Sequence, residues 1–336
     1  MHNIDLKKYE IRTDMAIDLT EKDKKTYKPY TYNNNGVKIS SIKLDEKNNI
    51  GKKKGLYVTL EFNDITDDDA KKNVSNVFKE ELRKILSDAG YDKSKKTTVI
   101  GLGNIKSTPD ALGPFVSNKI IATKHFFDMN VDVDKSFSSV STFYPGVTGA
   151  TGIETSDFIN GVVKEINPDL LIVVDALASS SISRVNKSIQ ISDSGISPGS
   201  GIGNKRKEIS KETIGIPVIV IGVPTVVDAG VIVSDTINYM IQNYAYNKNF
   251  TKSKISKFIN KPINFLDKEV KIDDADKKNL LGLVGTLSNE ELLNLTYEVL
   301  SPIGYNLMVT PKEVDFIIER LSDIISYGIN HSLHDI

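Results

Sequence analysis

The spacing of apolar and polar residues changes along the chain, and each spacing predicts a different element. Residues 37–44 and 55–62 alternate, which predicts a two-stranded β-ribbon. Residues 67–89 have the spacing of an amphipathic helix. The apolar face of this helix consists of Val74, Val77, Phe78, Leu82, Ile85 and Leu86. Residues 1–35 are polar, and we expect them to form a loosely structured leader.

The centre of the chain contains apolar runs without alternation, separated by segments with helical spacing. Strands are predicted at residues 97–102, 138–144, 169–174, 188–192 and 216–223, and helices at 110–126, 154–166 and 228–243. Continuous apolar strands are typical of a parallel sheet that is buried on both faces. The predicted fold class is therefore α/β: a mostly parallel sheet covered by helices on both faces, with an N-terminal β-ribbon and C-terminal helices.

A stretch rich in Lys, Asn and Asp, near residues 246–278, predicts an exposed insertion in this domain. Two helices are predicted after it. The last is preceded by Thr310-Pro311-Lys312-Glu313, which has the residues of an N-cap, a proline at the first helical position and a capping box. The last helix is therefore predicted to begin near Thr310.

Composition excludes several kinds of protein. The 336 residues are 39% apolar, and 43 Lys and Arg against 44 Asp and Glu leave a net charge of −1. Such a balance creates no field that favours nucleic acid or an anionic membrane. The apolar runs are shorter than the roughly 20 residues of a membrane helix, and no secretory signal is visible. With 0 Cys, disulfides, Cys-ligated zinc and a Cys nucleophile are excluded, so we expect an intracellular protein without a nucleic-acid or membrane partner.

Two glycine-rich loops are close to phosphate-binding motifs, but each lacks a required residue. Residues 101–103 read Gly-Leu-Gly, yet the third glycine of a dinucleotide loop is missing. In residues 198–208, Asn204 stands where a P-loop needs glycine before its lysine. A nucleotide-binding regulator is thus one alternative function. A flexible basic loop and a peptide groove explain the second segment equally well; the main-chain amides available to a groove include Gly199, Ser200, Gly201 and Gly203.

Histidine and serine offer few catalytic arrangements in this sequence. Of the 4 histidines, His125 is the one away from the termini, and its aromatic neighbours favour a structural role. Residues 179–181 are three serines after a predicted strand, but no Gly-x-Ser-x-Gly elbow surrounds them. A Ser–Lys arrangement with Lys187 stays open. Carboxylates are the better candidates.

Polar groups follow three of the predicted strands, and ligands of open α/β sheets bind at that edge. These groups are Asn104 and Asp110, then Asp175, then Asp228. On the residues alone, Asp110 is better explained by the first turn of a helix with Thr108 as N-cap. A charged residue at the rim of an apolar strand, as at Asp175, is harder to explain structurally, because desolvation favours the protonated form of a carboxyl.

One charged and one neutral carboxyl would suit acid–base hydrolysis, with Asp110 and Asp175 as the candidate pair. Asn104 is a candidate for holding substrate or a developing oxyanion. Asp193, Asp228 and Glu154 are weaker candidates, since turns and caps explain them.

Several long motifs together resemble the spore germination proteases. They are GLGNIKSTPDALGP at 101–114, GIETSDFINGVVKEINPD at 152–169, DALASSSISRVNKSIQISDSGISPGSGIGNKRKE at 175–208, GIPVIVIGVPTVVDA at 215–229 and NLMVTPKEVD at 306–315. The resemblance implies an endopeptidase of the spore cytoplasm that degrades the small acid-soluble proteins coating spore DNA. It also implies a homotetramer, no cofactor and no required metal.

The resemblance assigns roles to particular residues. The two essential aspartates of this atypical aspartic peptidase family lie in TPDALGP and DALA, which correspond to Asp110 and Asp175 here. The family's central domain is similar to the hydrogenase-maturation endopeptidases, so a metal-sensing maturation peptidase is a second alternative function. Where the family has His-Pro-Gly-Ser-Gly, this chain has Ser197 in place of His, which argues against an essential histidine.

The resemblance also predicts a zymogen. YEIRTDMAIDL, at residues 9–19, is similar to the family's substrate motif of an acidic residue, a large apolar residue and Ala. We expect self-cleavage between Asp14 and Met15, with residues 1–14 as propeptide and 15–336 as one peptidase domain. An ordinary N-terminal strand at residues 12–19 is the alternative.

Overall fold

The computed structural model of the chain describes residues 13–23, 25–129, 131–198, 207–251, 273–300 and 307–336. The described residues form two compact units. The larger unit contains the described residues up to Val227 and those from Thr310 onward, and the smaller contains those within Asp228–Val309. The single domain expected over residues 15–336 stays a prediction.

The larger unit is built on one sheet. Its strands are β1 (Tyr30–Asn34), β2 (Val37–Leu44), β3 (Gly55–Glu61), β4 (Thr97–Gly101), β5 (Val140–Phe143), β6 (Leu170–Ser179), β7 (Ser188–Ser192) and β8 (Val218–Asp228). Their order across the sheet is β1-β2-β3-β7-β8-β6-β4-β5. Strands β8, β6, β4 and β5 are parallel, whereas the pairs from β1 through β7 to β8 are antiparallel. The α/β class is confirmed, but the sheet is mixed and not mostly parallel, because the predicted ribbon and β7 join the same sheet as antiparallel strands.

Helices of this unit vary widely in length. They are α1 (Ala16–Lys22), α2 (Asp68–Asp88), α3 (Leu112–Ser117), α4 (Lys124–Asp128), α5 (Thr148–Thr151), α6 (Thr155–Ile166), α7 (Lys211–Ile214) and, near the end of the chain, a long helix over Val314–Leu333. The short segments Thr108–Asp110 and Ile182–Arg184 are 3-10 helices.

Alternate residues of the parallel strands face two hydrophobic cores, as the pleat of a strand requires. On one face, Ile172 and Val174 of β6 belong to a core that includes side chains of α2, α3 and the helix Val314–Leu333. On the other face, Leu171 and Val173 pack with α6. The sheet is therefore covered by helices on both faces, as the sequence predicts.

Helix α2 has the predicted buried face and an identifiable start. All six of the predicted apolar positions are buried. The side chain of Asp67 accepts the N–H of Ala70 and caps the helix. Phe78 packs directly on Gly328 of the last helix, where an added Cβ would lie 2.3 Å from the aromatic ring. The absence of a side chain at this glycine allows the two helices to approach closely.

The helix predicted at residues 110–126 is wrong. The chain forms α3 and α4 instead, and residues 118–123 lie between them. The side chain of Asn330 stabilises this break, because its Nδ2 donates to the carbonyl of Lys119 and its Oδ1 accepts the N–H of Ile121. A partner more than 200 residues away thus satisfies main-chain groups that a continuous helix would pair internally.

Two predictions about helix starts and the leader also fail. Glu313 is the N-cap of the last helix, without a side-chain cap bond, and Thr310 donates its hydroxyl to the carbonyl of Thr225 instead. In the leader, α1 and β1 replace the loose structure expected for residues 1–35 wherever that part is described. Both departures come from contacts with distant parts of the chain, which local propensity does not encode.

The smaller unit consists mainly of helices. They are α8 (Ala229–Thr251), α9 (Asp274–Leu281) and α10 (Asn289–Leu300), with a 3-10 segment at Gly282–Thr286 and the strand β9 (Met308–Val309). We number the helix Val314–Leu333 of the larger unit α11. Of the predicted insertion, residues 246–251 lie in α8 and 274–278 in α9, while 252–272 fall outside the described residues.

Candidate active site

The loop after β4 turns back and holds Asp110 beside the end of that strand. The N–H of Asn104 donates to the main-chain oxygen of Asp110 and to its side-chain Oδ2, both at 2.9 Å. Gly103 permits this approach, since its φ is +114° and a Cβ there would lie 2.0 Å from the Asp110 carbonyl oxygen. Asp110 is half-buried, and one of its carboxyl oxygens is held by the main chain.

The N-cap predicted at Thr108 is wrong. Asp110 ends the 3-10 helix Thr108–Asp110, whose N-cap is Ser107 and lacks a side-chain cap bond. The α-helix that follows begins only at Leu112. Asp110 thus lies in the first turn of a helix, as predicted, but this helix is a three-residue 3-10 turn that begins one residue earlier than expected.

Asp175 lies within β6 and not at its rim. The strand continues to Ser179, and Asp175 pairs with Gly222 of β8 in the parallel register. Its side chain is 6% exposed, and Oδ1 accepts the N–H of Ala176 at 2.9 Å. The strand is longer than predicted because β8 continues alongside it. A carboxyl inside a covered strand costs solvation free energy, which is an unusual position for a purely structural aspartate.

The backbone brings the two segments to one end of the sheet. The turn that contains Asp110 contacts β6. Beyond it, Gly113 is so close to β6 that an added Cβ would lie 2.6 Å from the Val174 carbonyl oxygen. From the other side, the Thr225 hydroxyl of β8 donates to the carbonyl of Pro109 at 2.6 Å. This end, after β4 and along β6, is the candidate active site.

The segment around Asp14 lies further along β6. Past Val174, the last residue of β6 that pairs with β4, the edge of β6 is open to another segment. There, the N–H of Asp14 donates to the carbonyl of Ala178, and the N–H of Ala178 donates to Asp14 Oδ2, both at 2.9 Å. The residue predicted to precede the cleaved bond is therefore bound to the strand that contains Asp175.

Met15 and Ala16 are fully buried. Met15 forms a small core with Ile17 and Leu177, and Ile196 packs against it. Since side chains alternate along a strand, Leu177 faces the same side of β6 as Asp175. The apolar residue after the predicted cleavage point thus lies on the face of the strand that carries the candidate carboxyl.

Helix α1 is fixed by a buried ion pair. Arg184 Nη1 lies 2.6 Å from Asp18 Oδ1, and these residues are 5% and 3% exposed. Asp18 Oδ2 also accepts the hydroxyl of Ser179 at 2.8 Å and the N–H of Ser180 at 2.7 Å. Two of the three serines at the end of β6, considered as possible nucleophiles, therefore bind a carboxylate of α1.

Two residues that contact the predicted cleavage point were not predicted from the sequence. Lys52 Nζ donates to the carbonyls of Thr13 and Asp14, at 3.1 and 3.0 Å. Gln190 in β7 accepts the N–H of Ala16 at 2.7 Å and donates to the carbonyl of Asp14 at 3.3 Å. A lone amide in the apolar strand SIQIS was the available signal for Gln190; Lys52 lies in a run of three lysines, where no signal distinguishes it.

The remaining predicted site residues have varied surroundings. The side chain of Asn104 accepts the N–H of Lys106 at 3.0 Å, so part of its hydrogen-bonding capacity stabilises its own loop. Asp193 accepts the N–H of Leu56 at 2.7 Å, as expected of a turn residue. In the smaller unit, burial raises the pKa of Asp228, and its Oδ1 accepts the N–H of Gly230. Outside the described residues lie Gly199, Ser200, Gly201 and Gly203.

Metal-binding side chains are not clustered in the described part of the chain. Within it, no three His, Cys, Asp or Glu residues are grouped so that they could hold a metal ion. Among the helices described, none combines the length and apolar character needed to cross a membrane.

Comparisons with known proteins agree over nearly the whole sequence. The family model described as germination protease matches residues 5–336. A germination protease of Bacillus licheniformis is 44% identical over 352 residues, covering 99% of this chain and 95% of that protein. One of Bacillus cereus is 43% identical over 350 residues, covering 98% of this chain and 95% of that protein.

One solved structure is also similar. The crystal structure of a [NiFe] hydrogenase maturation protease, HycI from Thermococcus kodakarensis, has a TM-score of 0.26 and 17% sequence identity. The match covers 43% of this chain and 80% of that one. Family assignment rests on the sequence matches.

Proposed function

Because the chain belongs to the germination protease family and is therefore a protease, we propose that it is the spore endopeptidase that begins the degradation of small acid-soluble proteins during germination. Asp110 and Asp175 are proposed as an aspartic pair that activates water. The observation that carries this proposal is the contact between the turn that ends in Asp110 and β6, the strand that contains Asp175.

The proposed mechanism divides two roles between these carboxyls. Ionised Asp110 positions a water and removes its proton, while protonated Asp175 polarises the scissile carbonyl and then donates to the leaving nitrogen. The difference in surroundings supports this order, since Asp110 is half-buried and Asp175 is 6% exposed. Coupled carboxyls titrate as a pair, and the reverse assignment is the alternative. Asn104 and the amides of residues 199–203 are proposed to hold the substrate or the oxyanion.

The test is a pair of variants, Asp110→Asn and Asp175→Asn. Each is expected to cleave a Thr-Glu-Ile-Ala peptide at least about 1000-fold more slowly, as when a catalytic carboxylate is removed from other proteases. Asp193→Asn is the matched control, because Asp193 binds the N–H of Leu56. Circular dichroism confirms folding. Cleavage at the unmodified rate by either variant removes that aspartate from the mechanism.

The chain is further proposed to be a zymogen that cuts itself between Asp14 and Met15. Support comes from the attachment of Asp14 to β6 and from the packing of Met15 on Leu177. After mild acidification, intact-mass spectrometry should show a new N-terminus at Met15. The Asp175→Asn chain should stay full length under the same conditions. A wild-type chain that also stays full length would contradict self-processing.

Assembly, cofactors and location complete the proposal. We expect a homotetramer in the spore cytoplasm, acting without a cofactor or metal, and without binding nucleic acid or membrane itself. Light scattering coupled to size exclusion tests the oligomeric state. Peptide cleavage that persists in excess chelator is the expected result for a metal-independent reaction, and loss of cleavage would contradict it.

A further inference from the structure

Groups from three separate parts of the fold converge on the peptide bond between Asp14 and Met15. Lys52, from the connection between β2 and β3, and Gln190, from β7, both donate to the carbonyl of Asp14. Ala178, from β6, binds both the main chain and the side chain of Asp14. The main chain is thus bound on both sides of the Asp14–Met15 bond, and the Asp14 side chain is bound as well. These are the features of a peptide-recognition subsite.

Lys52 brings a positive charge next to the main chain of residues 13 and 14. Its Nζ donates to the carbonyls of Thr13 and Asp14. Burial lowers the pKa of Lys52, and the negative charges of Asp14 and Asp18 oppose that change. Lys52 is half-buried, and an ammonium that loses part of its hydration is stabilised by a nearby negative charge. Because Asp18 is already paired with Arg184, the side chain at position 14 supplies charge that the site otherwise lacks.

The contact with Ala178 places the acidic side chain relative to the strand. Two hydrogen bonds fix Asp14 on the open edge of β6. The N–H of Ala178 donates to Asp14 Oδ2, and the N–H of Asp14 donates to the carbonyl of Ala178. Asp175 lies three residues earlier on the same strand. An extended peptide bound to this edge therefore runs beside the strand that carries a proposed catalytic carboxyl.

Gln190 binds the main chain and leaves the side chains free to vary. Its Nε2 donates to the carbonyl of Asp14, and its Oε1 accepts the N–H of Ala16, so the amide spans the bond that follows Asp14. Such a contact fixes the register of the peptide without selecting its sequence. Selection of an acidic residue therefore depends on the groups around the side chain at position 14.

We propose that Lys52, Gln190 and the main chain of Ala178 form the subsite that recognises the acidic residue immediately before the cleaved bond, in the leader and in protein substrates. The positive charge of Lys52 selects a carboxylate, the Ala178 N–H binds a side-chain oxygen that an amide also offers, and Gln190 sets the register. The ligand is an extended peptide with Asp or Glu before a large apolar residue. This proposal rests on the proposed cleavage between Asp14 and Met15.

The first experiment is a double-mutant cycle in the full-length chain. Asp14→Asn is compared with Asp14 in the wild-type and Lys52→Met backgrounds, and the rate at which the Met15 N-terminus forms is measured by intact-mass spectrometry. With Lys52 present, Asp14→Asn should slow cleavage by about ten- to a hundredfold, the size of effect expected when one partner of a close pair of opposite charges is neutralised. With Lys52→Met, the two residues should be cleaved at equal rates.

The ratio of these rates separates recognition from a structural effect. A merely structural Lys52 would slow cleavage of both leaders equally and leave the ratio unchanged, which would overturn the proposal. Lys52→Arg, which keeps the positive charge, should restore the preference for Asp14. Thermal melting shows whether each variant is folded.

A binding experiment distinguishes failure of the subsite from failure of the proposed cleavage. In the full chain with Asp14→Lys and Asp175→Asn, the leader is repelled by Lys52 and cleavage is blocked. A fluorescent Thr-Glu-Ile-Ala peptide should bind at least about tenfold more tightly than Thr-Gln-Ile-Ala, and Lys52→Met should abolish the difference. That result supports the subsite even if the wild-type chain never forms a Met15 N-terminus. Equal binding of the two peptides would overturn the subsite.

Discussion

The parallel and antiparallel halves of the sheet contribute different groups to the candidate site. Asp110 and Asp175 come from the loop after β4 and from β6, both in the parallel half. Lys52 and Gln190, which bind the Asp14–Met15 bond, come from the connection after β2 and from β7, in the antiparallel half. The side chains of the proposed chemistry thus come from the parallel half and the side chains of the proposed recognition subsite from the antiparallel half, while Ala178 of β6 contributes its main chain to recognition.

This difference has a geometrical cause. Parallel strands all end at the same edge, so polar groups that follow them are brought together by topology. An antiparallel strand or a hairpin connection imposes no such convergence. Its polar groups lie near the site only if the order of the strands in the sheet places them there. Here β7 lies between β3 and β8, which puts Gln190 within reach of the segment on β6.

The largest predicted effect on stability comes from the link between the two halves. Arg184 lies in the connection from β6 to β7 and pairs with Asp18 of α1 and with Glu61 of β3. Arg184→Met should lower the free energy of unfolding by about 3–5 kcal/mol, because Asp18 is left as a buried charge without its cation. Urea denaturation measures this change.

A matched control exists for the same carboxylate. Lys38 also pairs with Glu61, at 2.7 Å, but its side chain is 49% exposed. Lys38→Met should change the stability by less than about 1 kcal/mol. Similar losses for the two variants would mean that burial at Arg184 is not the decisive factor and that the two halves are less tightly joined than we infer.

The second prediction perturbs the parallel half alone. An added Cβ at Gly113 would lie 2.2 Å from the Leu102 carbonyl oxygen and 2.6 Å from that of Val174. Gly113→Ala should therefore cost about 1–3 kcal/mol and slow peptide cleavage, because α3 and the loop before it must move away from β6. In Gly149→Ala, where nothing lies within 4 Å of the new Cβ, both measurements should stay near wild type. Unchanged cleavage in folded Gly113→Ala would show that the site tolerates a shift of α3.

The smallest prediction concerns pH and the edge of the parallel half. Burial lowers the pKa of His334, whose Nδ1 accepts the N–H of Ser138. Since the pKa is lower in the folded state, His334 takes up its proton more readily in the unfolded state. Its contribution to stability is complete above the ordinary histidine pKa of 6.5 and is lost as the pH falls. The free energy of unfolding should decrease from about pH 7.5 to about pH 5.5.

The His334→Asn variant tests whether this residue causes the decrease. Asn retains an acceptor for Ser138 but cannot be protonated in this range, so the pH dependence should be smaller. His125→Asn is the control, because His125 is exposed on α4. An equal pH dependence in wild type and His334→Asn would assign the effect to other groups.

Sequence patterns predicted the strands of the parallel half and the long helices with good accuracy. The apolar runs at β4, β6 and β8 and the amphipathic spacing of α2 reflect burial on a covered sheet, which is a local property of the sequence. The ends of elements were predicted less well. Both β6 and β8 extend beyond their apolar runs, because each strand pairs with the other past Asp175.

Errors occurred where long-range contacts replace local preferences. Asn330 interrupts the helix predicted at 110–126, and Thr310 binds Thr225 instead of capping α11. The aspartate pair was identified from strand ends and from family resemblance; the catalytic roles stay predictions. Lys52 was not identified at all, since a lysine in a polar loop looks the same whether it faces solvent or a peptide carbonyl.

By itself, the sequence determined the α/β class, the main strands and helices, and membership of a protease family, because hydrophobic periodicity and long motifs are written in consecutive residues. Only the tertiary structure decided that Asp14 is hydrogen-bonded to β6 and that Asp175 lies inside a strand. It also decided that Lys52 and Gln190 both donate to the carbonyl of Asp14. These contacts join residues far apart in the chain, and their formation depends on the order of the strands in the sheet.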